Sequence, residues 1–357
     1  MRSRPTGWQP AAVAGERGPD DPLPRWAVGG RVVVRRRLPD GAATDVVGVL
    51  EGTGPVLLVR RDDGDLVELP AGDVVAARPV PPRVRRPRPG EPVVGVLDLE
   101  AALARAWQPV DLARSGRWLL RSSGDRTRRA SSVLVLGPGP EGGLASAVDA
   151  AVRWSAAHGA TPRFQLPRAT GAPVGRAARA DAAGLAAVAA VDAELAARGW
   201  ALVGPTTVMT GRLDRLLTGA AAAPVELSPF PDAAWEALVR PGAVGDPVLA
   251  GLLRSAPDQA FATVRSSDGS GAAVAAGRVA LADGWAVLTD LVVAPGHRRR
   301  GRARAVVGAL AAWAGGRGAA RAALQVADEN AAATALYASL GLVEHHRYGY
   351  REIPSPA

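Results

Sequence analysis

The chain has 357 residues, 48% of them hydrophobic and 22% charged, which is enough for two or three domains with cores of their own. It has no cysteine, so disulfides, thiolate metal sites and cysteine nucleophiles are excluded. The formal charge of +9 comes from arginine alone, since the chain contains no lysine; with Ala and Gly so abundant this reads as GC-rich codon usage, and basic charge counts only where it clusters. Four histidines, His158, His297, His345 and His346, lack metal-ligand spacing and read as surface residues, so no metal is expected. The N-terminus has no apolar h-region and no long charge-free apolar stretch follows, which predicts a soluble, cytoplasmic protein without a membrane partner.

Residues 1–24, rich in Pro, Gly and charge, read as a disordered lead. Over 25–80 the chain turns to short β-type runs, Arg31 to Arg37, Asp45 to Leu50, Val56 to Arg60, Leu66 to Pro70 and Val74 to Arg78, separated by turns such as Pro39-Asp40-Gly41. That pattern predicts a small SH3-like β-barrel. Residues 81–92 hold the cluster Arg83-Val84-Arg85-Arg86-Pro87-Arg88-Pro89, whose prolines favour a solvated, extended linker over a phosphate-binding arm. Clustered aromatics, which a nucleic-acid surface would need, are absent.

Between 93 and 215 helices and strands alternate: a helix over Leu97 to Trp107, strands at Gly116 to Arg121 and Ser132 to Leu136, and a helix over Leu144 to Ala157. A strand at Phe164 to Leu166, an alanine-rich helix over Asp181 to Arg198 and a strand over Trp200 to Thr210 complete an α/β layer. The segment Arg129-Ala130-Ser131-Ser132 reads as structural strand and loop.

Over 224–354 the order is a strand at Val225 to Leu227, helices around Trp235 and over Val248 to Leu253, and strands at Gln259 to Arg265, Ala272 to Leu281 and Trp285 to Val293. Next comes the loop Pro295-Gly296-His297-Arg298-Arg299-Arg300-Gly301, and then a helix on which Ala303, Val306, Val307, Leu310 and Trp313 recur at helical spacing. A strand at Leu324 to Val326, a helix from Asn330 and a closing strand over His345 to Ile353 end the chain. A strand followed by a Gly-Arg loop and a helix N-terminus is the layout of a phosphate cradle: the first helical amides are unpaired and the helix dipole adds partial positive charge. Standing alone, such a loop also reads as a solvated turn.

Two motifs carry a resemblance. The run Val293-x-Pro295-x-x-Arg298-x-x-Gly301-x-Ala303 resembles the acetyl-CoA pyrophosphate loop of the GNAT superfamily of N-acetyltransferases. Downstream, Leu324-Gln325-Val326 followed by Asn330 through Leu336-Tyr337 to Gly341-Leu342 resembles that family's closing strand and helix, with Leu342 where Phe is usual. The resemblance implies an α/β (α+β) chain with a C-terminal catalytic GNAT domain over 224–354. It also implies a degenerate GNAT-like half over 93–215, which has no arginine cradle, and a similarity to an actinobacterial subfamily with an SH3-like barrel in front.

What the resemblance implies chemically is an acetyl-CoA-dependent N-acetyltransferase acting on a primary amine, small molecule or protein Lys or N-terminus, as a monomer or homodimer. Arg298, Arg299, Arg300, Gly301, Arg302 and Ala303 would hold the pyrophosphate, and Leu291, Val292 and Val293 with Asn330 the pantetheine arm. Tyr337 would meet the acyl end and protonate the departing thiolate. Read on spacing alone, Asn330 is an N-cap and Tyr337 a core residue on one face with Ala333, Leu336 and Leu340. Asp290 is either the general base or a strand-end carboxylate that faces solvent or pairs with an arginine. The alternative reading of the whole chain is an acyl-CoA-binding regulatory protein without turnover.

Overall fold

The computed structural model describes residues 31–61, 65–79, 94–170, 176–217 and 223–354. The lead over 1–24 and the Pro/Arg linker over 81–92 lie outside them. Two compact units divide the chain at Arg83.

In the first unit β1 (Arg31–Arg37), β2 (Ala43–Gly52), β3 (Val56–Arg61), β4 (Leu66–Pro70) and β5 (Val74–Pro79) form one antiparallel sheet in the order β4-β3-β2-β1-β5. Alternating Val32, Val34, Val46, Leu50, Leu57, Val59 and Leu69 bury one face as a small core. The sheet bends tightly at Gly48, where a Cβ would lie 2.2 Å from the carbonyl oxygen of Arg60, so only glycine lets β2 and β3 cross this closely.

The second unit is built on one eleven-stranded sheet. Its elements begin with α1 (Val96–Ala106), β6 (Asp111–Ser115), β7 (Trp118–Ser122), β8 (Val133–Val135), α2 (Leu144–Ala157), β9 (Arg163–Ala169), α3 (Arg176–Ala197) and β10 (Ala201–Arg212). They continue with β11 (Glu226–Ser228), α4 (Ala233–Val239), α5 (Pro247–Leu253), β12 (Gln259–Arg265), β13 (Ala273–Ala282) and β14 (Trp285–Val293). Then come α6 (Arg302–Gly315), β15 (Arg321–Ala327), α7 (Ala331–Ser339) and β16 (Val343–Glu352). The order is β11-β12-β13-β14-β15-β10-β16-β9-β8-β7-β6, with β14/β15 and β8/β9 parallel and the other pairs antiparallel.

Outward from the central β10/β16 pair the order is the same in both directions: a parallel pair, then antiparallel strands. Strand β10 lies between β15 and β16, and β16 lies between β10 and β9. Each side of the sheet is therefore completed by a strand that belongs in sequence to the other. Among the described residues no helix is long and apolar enough to cross a membrane.

The histidines correct the sequence reading. His346 is wholly buried: its Nε2 lies 2.8 Å from Glu100 Oε1 and its Nδ1 2.9 Å from His345 Nδ1. Glu100 in turn accepts from Gln165, whose carbonyl oxygen accepts from the buried Arg121 at 2.7 Å. A buried carboxylate and imidazole are tolerated here because each lone pair and N–H has a partner. Periodicity does not announce such a network, since its members are far apart in sequence.

Candidate active site

Strand β14 is paired with β15 only from Trp285 to Leu288, against Arg321 to Leu324. Beyond Leu288 the two strands part. The cause is a bulge: Ala276 pairs with Val292 and Arg278 with Thr289, so Asp290 and Leu291 together face Gly277. Asp290 takes the left-handed conformation, φ 57°. Helix α6 lies directly over Gly277, where a Cβ would come within 2.8 Å of Val306 Cγ1, so the bulge is clamped from behind.

The amide of Ala294 donates to Val274 O on the β13 side. By strand alternation the backbones of Val293 and Leu291 face the opening and that of Val292 faces β13. The carbonyl of Val293 accepts from Arg298 Nε at 3.1 Å, which leaves the Val293 amide and the Leu291 backbone for an extended ligand.

At the end of the split the loop turns through Pro295–His297, an extended Arg298, a left-handed Arg299 (φ 58°) and a left-handed Gly301 (φ 74°) into α6. No side chain caps α6, and its first backbone bond is Ala305 N to Gly301 O. Among the described residues the amides of Arg299 to Ala303 have no backbone acceptor in the loop. Left- and right-handed residues in succession point such amides into one concavity, an anion nest, with Arg298, Arg299 and Arg300 exposed around it.

The corresponding loop after β8, Gly137-Pro138-Gly139-Pro140-Glu141-Gly142-Gly143, is folded against Trp118. The Trp118 indole donates to Gly137 O at 3.0 Å, and the Arg117 amide donates to Pro138 O at 2.8 Å. It carries a carboxylate where the other loop carries arginines.

Asn330 is the N-cap of α7, its Oδ1 accepting from the Ala333 amide at 3.1 Å, so only its Nδ2 remains for a ligand. Tyr337 packs into the core beneath α6 and is 8% exposed. Burial, and then the Asp290 carboxylate, push its phenol up to about 12. Asp290 accepts at Oδ1 from Arg240, the residue that ends α4; the Asp290 side chain is 7% exposed, and its Oδ2 is buried with no hydrogen-bond partner. The arginine pairing considered in the sequence is therefore present, and one carboxylate oxygen is still free.

The split opens into a cavity of about 300 Å³. Thr289 and Asp290 of β14, with Gln325 and Ala327 of β15, form one wall. The facing wall comes from the middle of the chain and from β16: Trp107, Thr127, Arg128 and Arg129, with Tyr348 and Tyr350. Segment Ser123–Ser131 is pinned by Asp125, which accepts from the Thr161 amide at 2.8 Å and pairs with Arg163 at 2.9 Å, and by Ser131 Oγ, which accepts from the amides of Ser123 and Asp125. Sequence reading treated this segment as structural. The signals that could have found it are a triple arginine in a serine-rich loop and two of the chain's three tyrosines alternating on the closing strand.

A family model described as "Probable histone acetyltransferase Rv0428c C-terminal" matches residues 95–351, and one described as "Rv0428c N-terminal Sm-like domain" matches residues 26–78. The five-stranded unit expected as an SH3-like barrel is thus of the Sm-like kind of small β-rich domain. A Mycobacterium tuberculosis (strain ATCC 25618 / H37Rv) protein named "Probable histone acetyltransferase Rv0428c" is 29% identical over 335 residues, 90% of this chain and 94% of that protein. The "Uncharacterized N-acetyltransferase YobR" of Bacillus subtilis (strain 168) is 43% identical over 75 residues, 20% of this chain and 30% of that protein. Among solved structures, a GCN5-related N-acetyltransferase from Kribbella flavida is similar in fold at a TM-score of 0.52 and 19% identity, with 74% of this chain and 98% of that one covered.

Proposed function

The chain belongs to the Rv0428c-like family of GNAT-type N-acetyltransferases that carry an N-terminal Sm-like domain, and from that premise we propose that it transfers the acetyl group of acetyl-CoA to a primary amine. The observation that carries this reading is the parting of β14 from β15, with an anion nest at one end and the cavity at the other. The amides of Arg299 to Ala303, helped by the arginines from Arg298 to Arg302, hold the pyrophosphate. The Leu291 backbone binds the pantetheine as a missing strand would, with Val292 keeping β14 paired to β13 and Asn330 Nδ2 reaching the same arm.

The acceptor must be neutral to attack, so its proton has to leave; the free Oδ2 of Asp290 is the group that receives it. The Val293 amide stabilises the oxygen of the tetrahedral intermediate. A phenol that titrates at about 12 stays protonated at neutral pH, and Tyr337 gives that proton to the departing thiolate. The middle region, folded shut at Trp118 and lacking the arginines, serves as a degenerate half, so that one acetyl-CoA binds per chain.

The test is release of free CoA thiol from acetyl-CoA with a panel of small amines and lysine peptides; a chain without cysteine gives this assay a clean background. Tight CoA binding with no turnover across the panel would instead support the regulatory reading.

A further inference from the structure

Three arginines line the cavity against two carboxylates, Asp290 and Glu329. Of these arginines, Arg240 pairs with Asp290, and Arg128 pairs with Glu352, which Arg163 shares at 3.1 Å. Arg129 is left: among the described residues no carboxylate forms a salt bridge with it, its Nε is buried without a hydrogen-bond partner, and what its charge meets is the Tyr348 hydroxyl and, at longer range, the Asp290 carboxylate. A guanidinium left unpaired at a wall of a cavity is costly unless an anion completes it.

Behind the same cavity Arg278 is wholly buried, and its partners are neutral. Gln259 Oε1 accepts from its Nε and Nη2 at 3.0 and 2.7 Å, and Ala106 O accepts from Nη2 at 3.0 Å. Its guanidinium lies 5.0 Å from the ring of Trp107, a lining residue. Negative charge at the cavity comes from Asp290, which acts on both Arg129 and Arg278, and from the exposed Glu329. A lysine-rich segment that seats an ammonium at Asp290 brings no anion for Arg129.

The geometry points to an acceptor that carries its own anion: a small amino carboxylate whose amine is seated at Asp290 Oδ2 and whose carboxylate is bound by Arg129. This inference rests on the acetyl-transfer reading and narrows its acceptor. The reaction balances as an amide synthesis. The neutral amine nitrogen bonds to the acetyl carbon, the carbon–sulfur bond breaks, the amine proton leaves through Asp290, and CoA departs as the thiol. Phosphate would satisfy the same guanidinium, but a cavity of about 300 Å³ and a single free arginine fit a carboxylate.

The experiment compares each proteinogenic amino acid with its carboxamide, and with a lysine-rich peptide, by thiol release on the full chain. The wild type is expected to prefer acid over amide by at least tenfold in kcat/KM. In Arg129→Gln that preference falls to near one, mostly through KM; in Arg129→Lys part of it remains, and CoA affinity is unchanged in both. Equal rates for acid and amide in the wild type, or a preference for the lysine-rich peptide, would overturn the inference. So would an acid preference that survives Arg129→Gln. If no amine turns over, the acetyl-transfer reading fails separately, and calorimetric titration of the same amino acids into the CoA-bound chain decides this one: binding of the acid but not the amide supports it, and binding of neither sinks it.

Discussion

Replacing Gly301 by valine tests the anion nest at its most constrained point. Gly301 sits at φ 74° and ψ −3°, immediately before α6. Holding a residue with a side chain in the left-handed region costs about 1–2 kcal/mol, and the branched side chain of valine belongs at the upper end. If the loop leaves that conformation, the amides of Arg299 to Ala303 no longer converge and the penalty appears in binding. At about 1.4 kcal/mol per decade it corresponds to roughly 5- to 30-fold in Kd, to which the side chain's presence in the path of the pyrophosphate is added. The expectation is therefore a loss of CoA affinity well beyond tenfold in a calorimetric titration. Gly308→Ala is the control: it lies on the same helix, its added Cβ would meet Leu216 O at an ordinary 3.6 Å, and alanine is favoured over glycine inside a helix by about 0.5–1 kcal/mol. It should raise stability slightly and leave affinity alone. Unchanged affinity in Gly301→Val would refute the nest as the CoA site.

Tyr337→Phe keeps the packing and removes only the hydroxyl, so turnover should fall on the order of 10²-fold at unchanged CoA affinity; intact turnover would make Tyr337 a core residue and no more. Because that phenol titrates at about 12, kcat should show no alkaline loss from Tyr337 between pH 7 and 10. Burial, and then His346, hold His345 down to about 4, from an ordinary 6.5. The unfolded chain then binds the extra proton first, so stability contributed by His345 is present above about pH 6.5 and is lost as pH falls towards 4. The loss is on the order of 2 kcal/mol after allowing for partial exposure, and urea unfolding at a series of pH values should show a slope that His345→Gln flattens. Deleting residues 1–83 should leave one CoA site per chain, whereas residues 217–357 expressed alone lack β10 and should fail to fold; two equivalent CoA sites in the full chain, or a folded 217–357, would contradict these expectations.

Much of the fold was legible because its signals are local. The strands over Gln259–Arg265 and Trp285–Val293 and the helix over Leu144–Ala157 have the bounds that their apolar runs and turn residues predict. Strand β6 was missed because Asp111–Ser115 is an exposed edge with no apolar alternation. The strand, turn and helix of the proposed cradle were legible for the same local reason, a run of turn and arginine residues between a strand and a helix. The facing wall was not. Arg129 and Asp290 are far apart in the chain, and what brings them to one cavity is the strand order, which depends on pairings that no window of sequence contains. His346 failed similarly: a histidine beside another on a strand looks exposed until a glutamate from α1 reaches it.

The placing of β10 and β16 bears on how the protein is made. As the chain leaves the ribosome, the middle region can form its helices and outer strands, yet β9 has no inner neighbour until the last strand has been synthesised. Strand β15 can take β10 as soon as it appears, but β10 keeps one bare edge until β16 arrives. Closure of the sheet therefore waits for β16, and both sides close at once rather than one after the other. Long-range antiparallel pairing of this kind is slow and leaves unpaired edges exposed in the meantime. A chain lacking β16 would be an open sheet with β9 and β10 unsealed, the kind of edge that pairs with another copy or is cleared by proteolysis.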